Sequence, residues 1–212
     1  MRRFQVYFVL IAVLPLGCAT TSAPNTGFLT DYARLEPDLK VAGGRVYWNR
    51  DVDRSKYSSI MIDPVEIHFA HEENSKQPDP EHVDEFRRIV EQELEKAISE
   101  VFQVSKAPSQ GVIRLRTQVS NIQLAKELPR TRSYIPLPLY RLGSANLEVE
   151  LTDASTGDLL AAWVGPRRSA GEGKRYQRPD DWEGVRSNIA VSVRTFVDHV
   201  MNRLAETRTG PA

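Results

Sequence analysis

Leu147-Glu148-Val149-Glu150-Leu151-Thr152-Asp153-Ala154-Ser155-Thr156-Gly157-Asp158-Leu159-Leu160-Ala161-Ala162-Trp163-Val164 decides the fold class. Leu147, Val149 and Leu151 alternate with Glu148, Glu150 and Thr152, the period of two that marks a half-buried strand. Asp153 to Asp158 make a Ser-Thr-Gly turn, in which Gly157 accepts positive φ without steric cost, and Leu159 to Val164 return as the partner strand. The alternation puts Glu148 and Glu150 side by side, as glycoside chemistry would require of two carboxylates. On the polar phase of a half-buried strand, the expectation for them is a solvated face.

Working outward, Gly111 to Leu124 reads as another strand, with Ile113, Leu115, Thr117 and Val119 on one phase. Ser58 to Phe69 is a third, whose apolar phase changes at Asp63-Pro64, where proline removes a ladder donor and implies a bulge or an edge. Val83, Phe86, Val90, Leu94, Ala97 and Val101 recur at helical spacing, and so do Trp182, Val185, Ile189, Val193, Phe196, Val200 and Leu204. The order strand, helix, three strands, helix predicts an α/β (α+β) domain. Its mixed, largely antiparallel sheet has about four strands, and the two long amphipathic helices pack on one face. Phe28, Leu29, Tyr32 and Leu35 predict a short helix or turn where order begins, with Tyr32 and Leu35 as core anchors.

The N-terminus carries a different signal. Met1-Arg2-Arg3 is basic, and Phe4 to Leu16 is a 13-residue apolar run. As a helix the run spans roughly 20 Å, short for a bilayer core of ~30 Å. Gly17-Cys18 follows, and Cys18 is the only cysteine. The segment resembles a bacterial lipoprotein signal, in which Cys18 is diacylated on sulfur and becomes the new N-terminus. Pro15 and Leu16 depart from the usual residues before the cysteine. The expected organisation is a signal peptide at 1–17, a flexible tether at 18–27, one globular domain at 28–207 and a disordered tail at 208–212.

Gly27-Phe28-Leu29-Thr30-Asp31-Tyr32-Ala33-Arg34-Leu35, Tyr57-Ser58-Ser59-Ile60-Met61-Ile62-Asp63-Pro64-Val65 and Leu151 to Ala162 occur in this order after the cysteine. Together they resemble a family of bacterial lipoproteins known as domain of unknown function 3313, over roughly Phe28 to Leu204. The resemblance implies localisation and fold. It implies no catalytic residue.

Charge and composition narrow the function classes. Without Met1 to Gly17 the remaining 195 residues hold 26 basic and 28 acidic side chains, a balance that does not favour nucleic acid. Disulfides and thiolate metal sites are excluded once Cys18 is consumed. His68-Phe69-Ala70-His71-Glu72-Glu73 is the only histidine cluster; it lacks zincin spacing, and a solvated strand exit is expected, with no metal and no cofactor. Ser155 has neither a nucleophile elbow nor an identifiable base, and Gly43-Gly44 is an isolated turn.

The segment from Leu128 to Arg141 holds three prolines, and its Tyr134, Ile135, Leu137, Leu139 and Tyr140 are flanked by Arg130, Arg132 and Arg141. Proline denies these apolar groups an ordinary helix or central strand. They either dock on a partner or fold back to cap the core. The expected function is that of a periplasm-facing lipoprotein, a non-enzymatic adaptor or assembly factor in the cell envelope. Ala19, in place of an aspartate retention signal, points to the outer membrane. A small-molecule or lipid binding module is the first alternative, and an envelope hydrolase the second.

Overall fold

A computed structural model describes residues 25–69, 80–122, 144–166, 168–169 and 182–206. Chain order begins with β1 (Glu36–Pro37), β2 (Arg45–Trp48), a 3-10 turn (Arg54–Lys56), β3 (Ser59–Ile62), β4 (Glu66–Phe69) and α1 (Pro80–Ser99). It continues with β5 (Gln103–Val104), β6 (Val112–Ile122), β7 (Ser144–Asp153), β8 (Leu159–Val164), β9 (Arg168–Ser169) and α2 (Trp182–Phe196). A π turn (Val197–Met201) carries α2 directly into α3 (Asn202–Glu206).

Among the described residues the sheet has nine strands rather than about four, in the order β1-β2-β8-β7-β6-β3-β5, with β4 paired to β6 and β9 to β7. It is mixed: β3 and β4 run parallel to β6, and β3 parallel to β5, while the other pairs are antiparallel. The added strands are two to four residues long, too short for period-two alternation to register.

The stretch around Pro64 becomes two strands on one edge of β6. Ile60 and Ile62 face Ile113 and Leu115, and Ile67 faces Val119. The break at Asp63-Pro64-Val65 therefore resets the phase, so that the apolar side chains of both halves reach the same core. α1 takes up the freed backbone groups: Glu91 Oε1 accepts the Val65 N–H at 3.1 Å, and Arg87 Nε donates to the Val65 carbonyl at 3.2 Å.

Both long helices pack on one face, as their spacing predicts. Phe86, Ile89, Val90, Leu94 and Ile98 of α1 and Val193, Phe196, Val200 and Leu204 of the last helical run join Leu115, Val149, Leu151 and Trp163 in the main core. Full burial of each such side chain contributes about 1.5–3 kcal/mol. Trp163 lies at the centre, its ring 5.8 Å from that of Phe196 and its indole N–H donating to Asp38. Gly165 keeps space for it: a Cβ there would stand 2.7 Å from the indole ring.

The β7–β8 turn is built as its sequence requires. Gly157 has φ +79°, and the Asp153 carboxylate accepts the N–H groups of Ser155 and Thr156. Tyr57 donates its hydroxyl to the other Asp153 oxygen at 2.8 Å. Burial pushes the Asp153 carboxyl up, but the Ser155 hydroxyl, Tyr57 and the two N–H donors outweigh it and hold the group at about 2. Among the described residues, no helix is long and apolar enough to cross a membrane.

Candidate functional site

Glu148 and Glu150 do not face solvent. They are 0% and 2% exposed, because residues 26–35 form a strap of turns across the sheet face opposite the helices. Strand register assembles the layer below it: Arg116 stands beside Glu150, Gln118 beside Glu148 and Ser120 beside Asn146. Burial of these groups costs free energy unless each finds a partner.

The strap supplies partners to Glu148, Glu150 and Gln118 through its own polar groups, while the buried Asn146 side-chain amide is left without one among the described residues. Tyr32 donates its hydroxyl to Glu148 Oε2 at 2.5 Å, and Thr26 Oγ1 donates to the same oxygen at 3.1 Å. Ser120 donates to Glu148 Oε1 at 3.2 Å, and Gln118 Nε2 donates to Thr26 Oγ1 at 2.9 Å. The Tyr32 oxygen in turn accepts the backbone N–H of Phe28 at 3.1 Å and of Leu29 at 3.3 Å. One phenol thus closes the strap on itself and fastens it to the sheet.

Glu150 is held differently. Arg116 Nη1 meets one carboxylate oxygen at 2.9 Å, and the Thr30 N–H donates to the other at 2.7 Å. The Arg116 guanidinium lies 4.7 Å from the centroid of the Phe28 ring, which it covers as a cation–π partner. Phe28 and Leu29 pack with Ala162 and Val164 into a second, smaller core, against which Tyr32, Leu35 and Tyr47 rest. Asn25 and Thr26 are already bonded to the sheet, through Arg45 and Glu148, and the strap forms turns rather than a helix.

The chemistry of this site is that of a clasp. A carboxylate pair serves hydrolysis when substrate and water reach it, whereas both carboxylates here are spent on the strap and on Arg116. His68 stands on β4 with its side chain 59% exposed and Nε2 3.6 Å from Glu66; His71 lies outside the described residues. No group of three or more His, Cys, Asp or Glu side chains suited to a metal ion occurs among the described residues. Cys18 and the segment with Arg130, Arg132, Tyr134, Ile135, Leu137, Leu139, Tyr140 and Arg141 also lie outside them.

The chain belongs to the family described as "Protein of unknown function (DUF3313)", which it matches over residues 24–190. No curated protein matches it. Among solved structures it is similar to a variant PelC dodecamer from Paraburkholderia phytofirmans, at 15% identity and a TM-score of 0.42, covering 76% of this chain and 95% of that one. A putative neuraminyllactose-binding hemagglutinin homolog from Helicobacter pylori is similar at 11% identity and a TM-score of 0.38, covering 76% and 89%. A PDZ domain protein from Parabacteroides distasonis gives 11% and 0.41, covering 73% and 34%.

Proposed function

We propose that this protein is a lipid-anchored lipoprotein on the periplasmic face of the bacterial outer membrane, its domain a non-enzymatic adaptor or assembly factor for an envelope partner. The observation that carries the reading is the clasp. Thr26 is bonded into the sheet eight residues after Cys18, a span of at most about 29 Å when fully extended. A lipid on Cys18 would hold the domain close to the membrane, with the strap passing the tension into the sheet. That arrangement suits a positioned scaffold, and enclosure of both carboxylates supports a non-enzymatic role.

Metabolic labelling with a fatty acid tests the anchor. The wild-type chain is labelled and sediments with membranes, and Cys18→Ser abolishes the label and frees the protein; an unlabelled wild type contradicts the reading. The partner contact falls to the Pro-rich segment, with Tyr134, Ile135, Leu137, Leu139 and Tyr140 as apolar anchors and Arg130, Arg132 and Arg141 as basic shoulders. Replacing Ile135 and Leu137 with serine weakens association and leaves the melting temperature nearly unchanged. A drop of several degrees would assign the segment to the core instead.

A further inference from the structure

Two neighbouring stretches and one remote in sequence meet at the C-terminal end of β2. Trp48 closes that strand, Arg54 opens the 3-10 turn, and Arg203 stands exposed on α3. The guanidinium carbon of Arg54 lies 5.1 Å from the centroid of the Trp48 ring, and that of Arg203 lies 4.8 Å from it. Cation–π attraction orients both planes on one indole and leaves N–H groups of each fork to seek acceptors. The Asn49 carbonyl, 3.5 Å from Arg54 Nη2, answers one of them.

Neither guanidinium pairs with a carboxylate among the described residues. Asp53, the adjacent acid, is turned into its own cap by the N–H and hydroxyl of Ser55. Burial, and then the charge of Arg203, press the Arg54 pKa below its ordinary value. Two cations gathered with no carboxylate paired to either among the described residues fit an oxyanion, which guanidinium forks recognise by geometry as well as charge.

The last helical run supplies a second observation. Arg203 follows the π turn by two residues, and one π turn inserts a residue, rotating everything beyond it by about 100° relative to an uninterrupted α-helix. Val197, Val200 and Met201 are buried and lock the turn in place. The irregularity aims Arg203 at Trp48, and such turns within helices are frequent at functional sites.

We infer that Trp48, Arg54 and Arg203 form a binding site for a phosphate group, carried by an anionic lipid headgroup or by a free phosphate. The site does not rest on the proposed anchor or adaptor role. Two arms on the full chain test it, each with wild type, Arg54→Gln, Arg203→Gln and the double variant. In detergent, titration with inorganic phosphate is followed by calorimetry, with sodium chloride at matched ionic strength as control. In vesicles, quenching of tryptophan fluorescence by brominated phosphatidylglycerol is compared with quenching by brominated phosphatidylcholine.

The expected result is saturable binding at one site in at least one arm, weakened roughly tenfold or more by each substitution, the size of loss typical for a charge-assisted contact. Arg203 is exposed, so Arg203→Gln lowers the melting temperature by no more than the loss of one exposed cation–π contact and keeps the test clear of folding. An arginine-dependent response to phosphate alone assigns a soluble ligand, and one to phosphatidylglycerol alone assigns the headgroup. Responses that persist in the double variant, or none in either arm, overturn the site.

Discussion

The two faces of this sheet are closed by different chemistry. On the helix face, interlocking apolar side chains from α1, α2 and α3 surround Trp163. On the strap face, a small apolar cluster at Phe28, Leu29, Ala162 and Val164 lies beside a row of buried polar groups fastened by Tyr32, Thr26 and the Thr30 N–H. Apolar burial is non-directional and spreads over many contacts, whereas a hydrogen-bonded cover depends on a few donors being in place. The helix face should therefore govern global stability, and the strap should open as a unit of its own.

The largest effect is expected on the helix face. Phe196 is fully buried against Trp163, and Phe196→Ala should cost about 3–5 kcal/mol and destabilise the whole domain in one transition, measured by urea denaturation. Tyr32→Phe should cost less, about 1–3 kcal/mol, because it leaves a buried Glu148 oxygen short of a donor. If Tyr32→Phe proved as damaging as Phe196→Ala, the two faces would not differ as described.

The smallest effect concerns the β7–β8 turn, which Tyr57 ties to the helix-face core. Asp153 has a folded pKa of about 2, below its ordinary 3.8. Its stabilisation is therefore fully present above about pH 4 and disappears as pH falls through about 2, of order 1 kcal/mol after solvent screening. Comparing wild type with Asp153→Asn in urea melts across that window should show the difference between them shrinking as the pH drops. A constant difference would mean that the Asp153 charge does not hold the turn.

Legibility in the sequence also divides by face. Helical spacing from Phe86 to Ala97 and from Ile189 to Leu204, together with the alternation at Leu147 to Leu151, marks the helix face with its core residues. The strap face is misread because alternation reports which side chains are polar, not what covers them. A signal of that cover exists in β8: Leu160-Ala161-Ala162-Trp163-Val164 is apolar on both phases, the pattern of a strand buried on both faces. Its neighbours Glu148 and Glu150 must then be covered too. The meeting of Trp48, Arg54 and Arg203 leaves no sequence signal, since it depends on β2, the 3-10 turn and the π turn converging in space.

Amide hydrogen exchange at Phe28, Leu29 and Thr30 tests the clasp most directly, because their N–H groups bond to Tyr32 and Glu150. In the wild-type chain these amides should be protected. In Tyr32→Phe, protection at Phe28 and Leu29 should fall by at least tenfold, while β6, β7 and β8 keep theirs. Unprotected strap amides in the wild type, or Phe28 and Leu29 amides as protected in Tyr32→Phe as in the wild type, would contradict a cover in which the Tyr32 hydroxyl is a principal fastening.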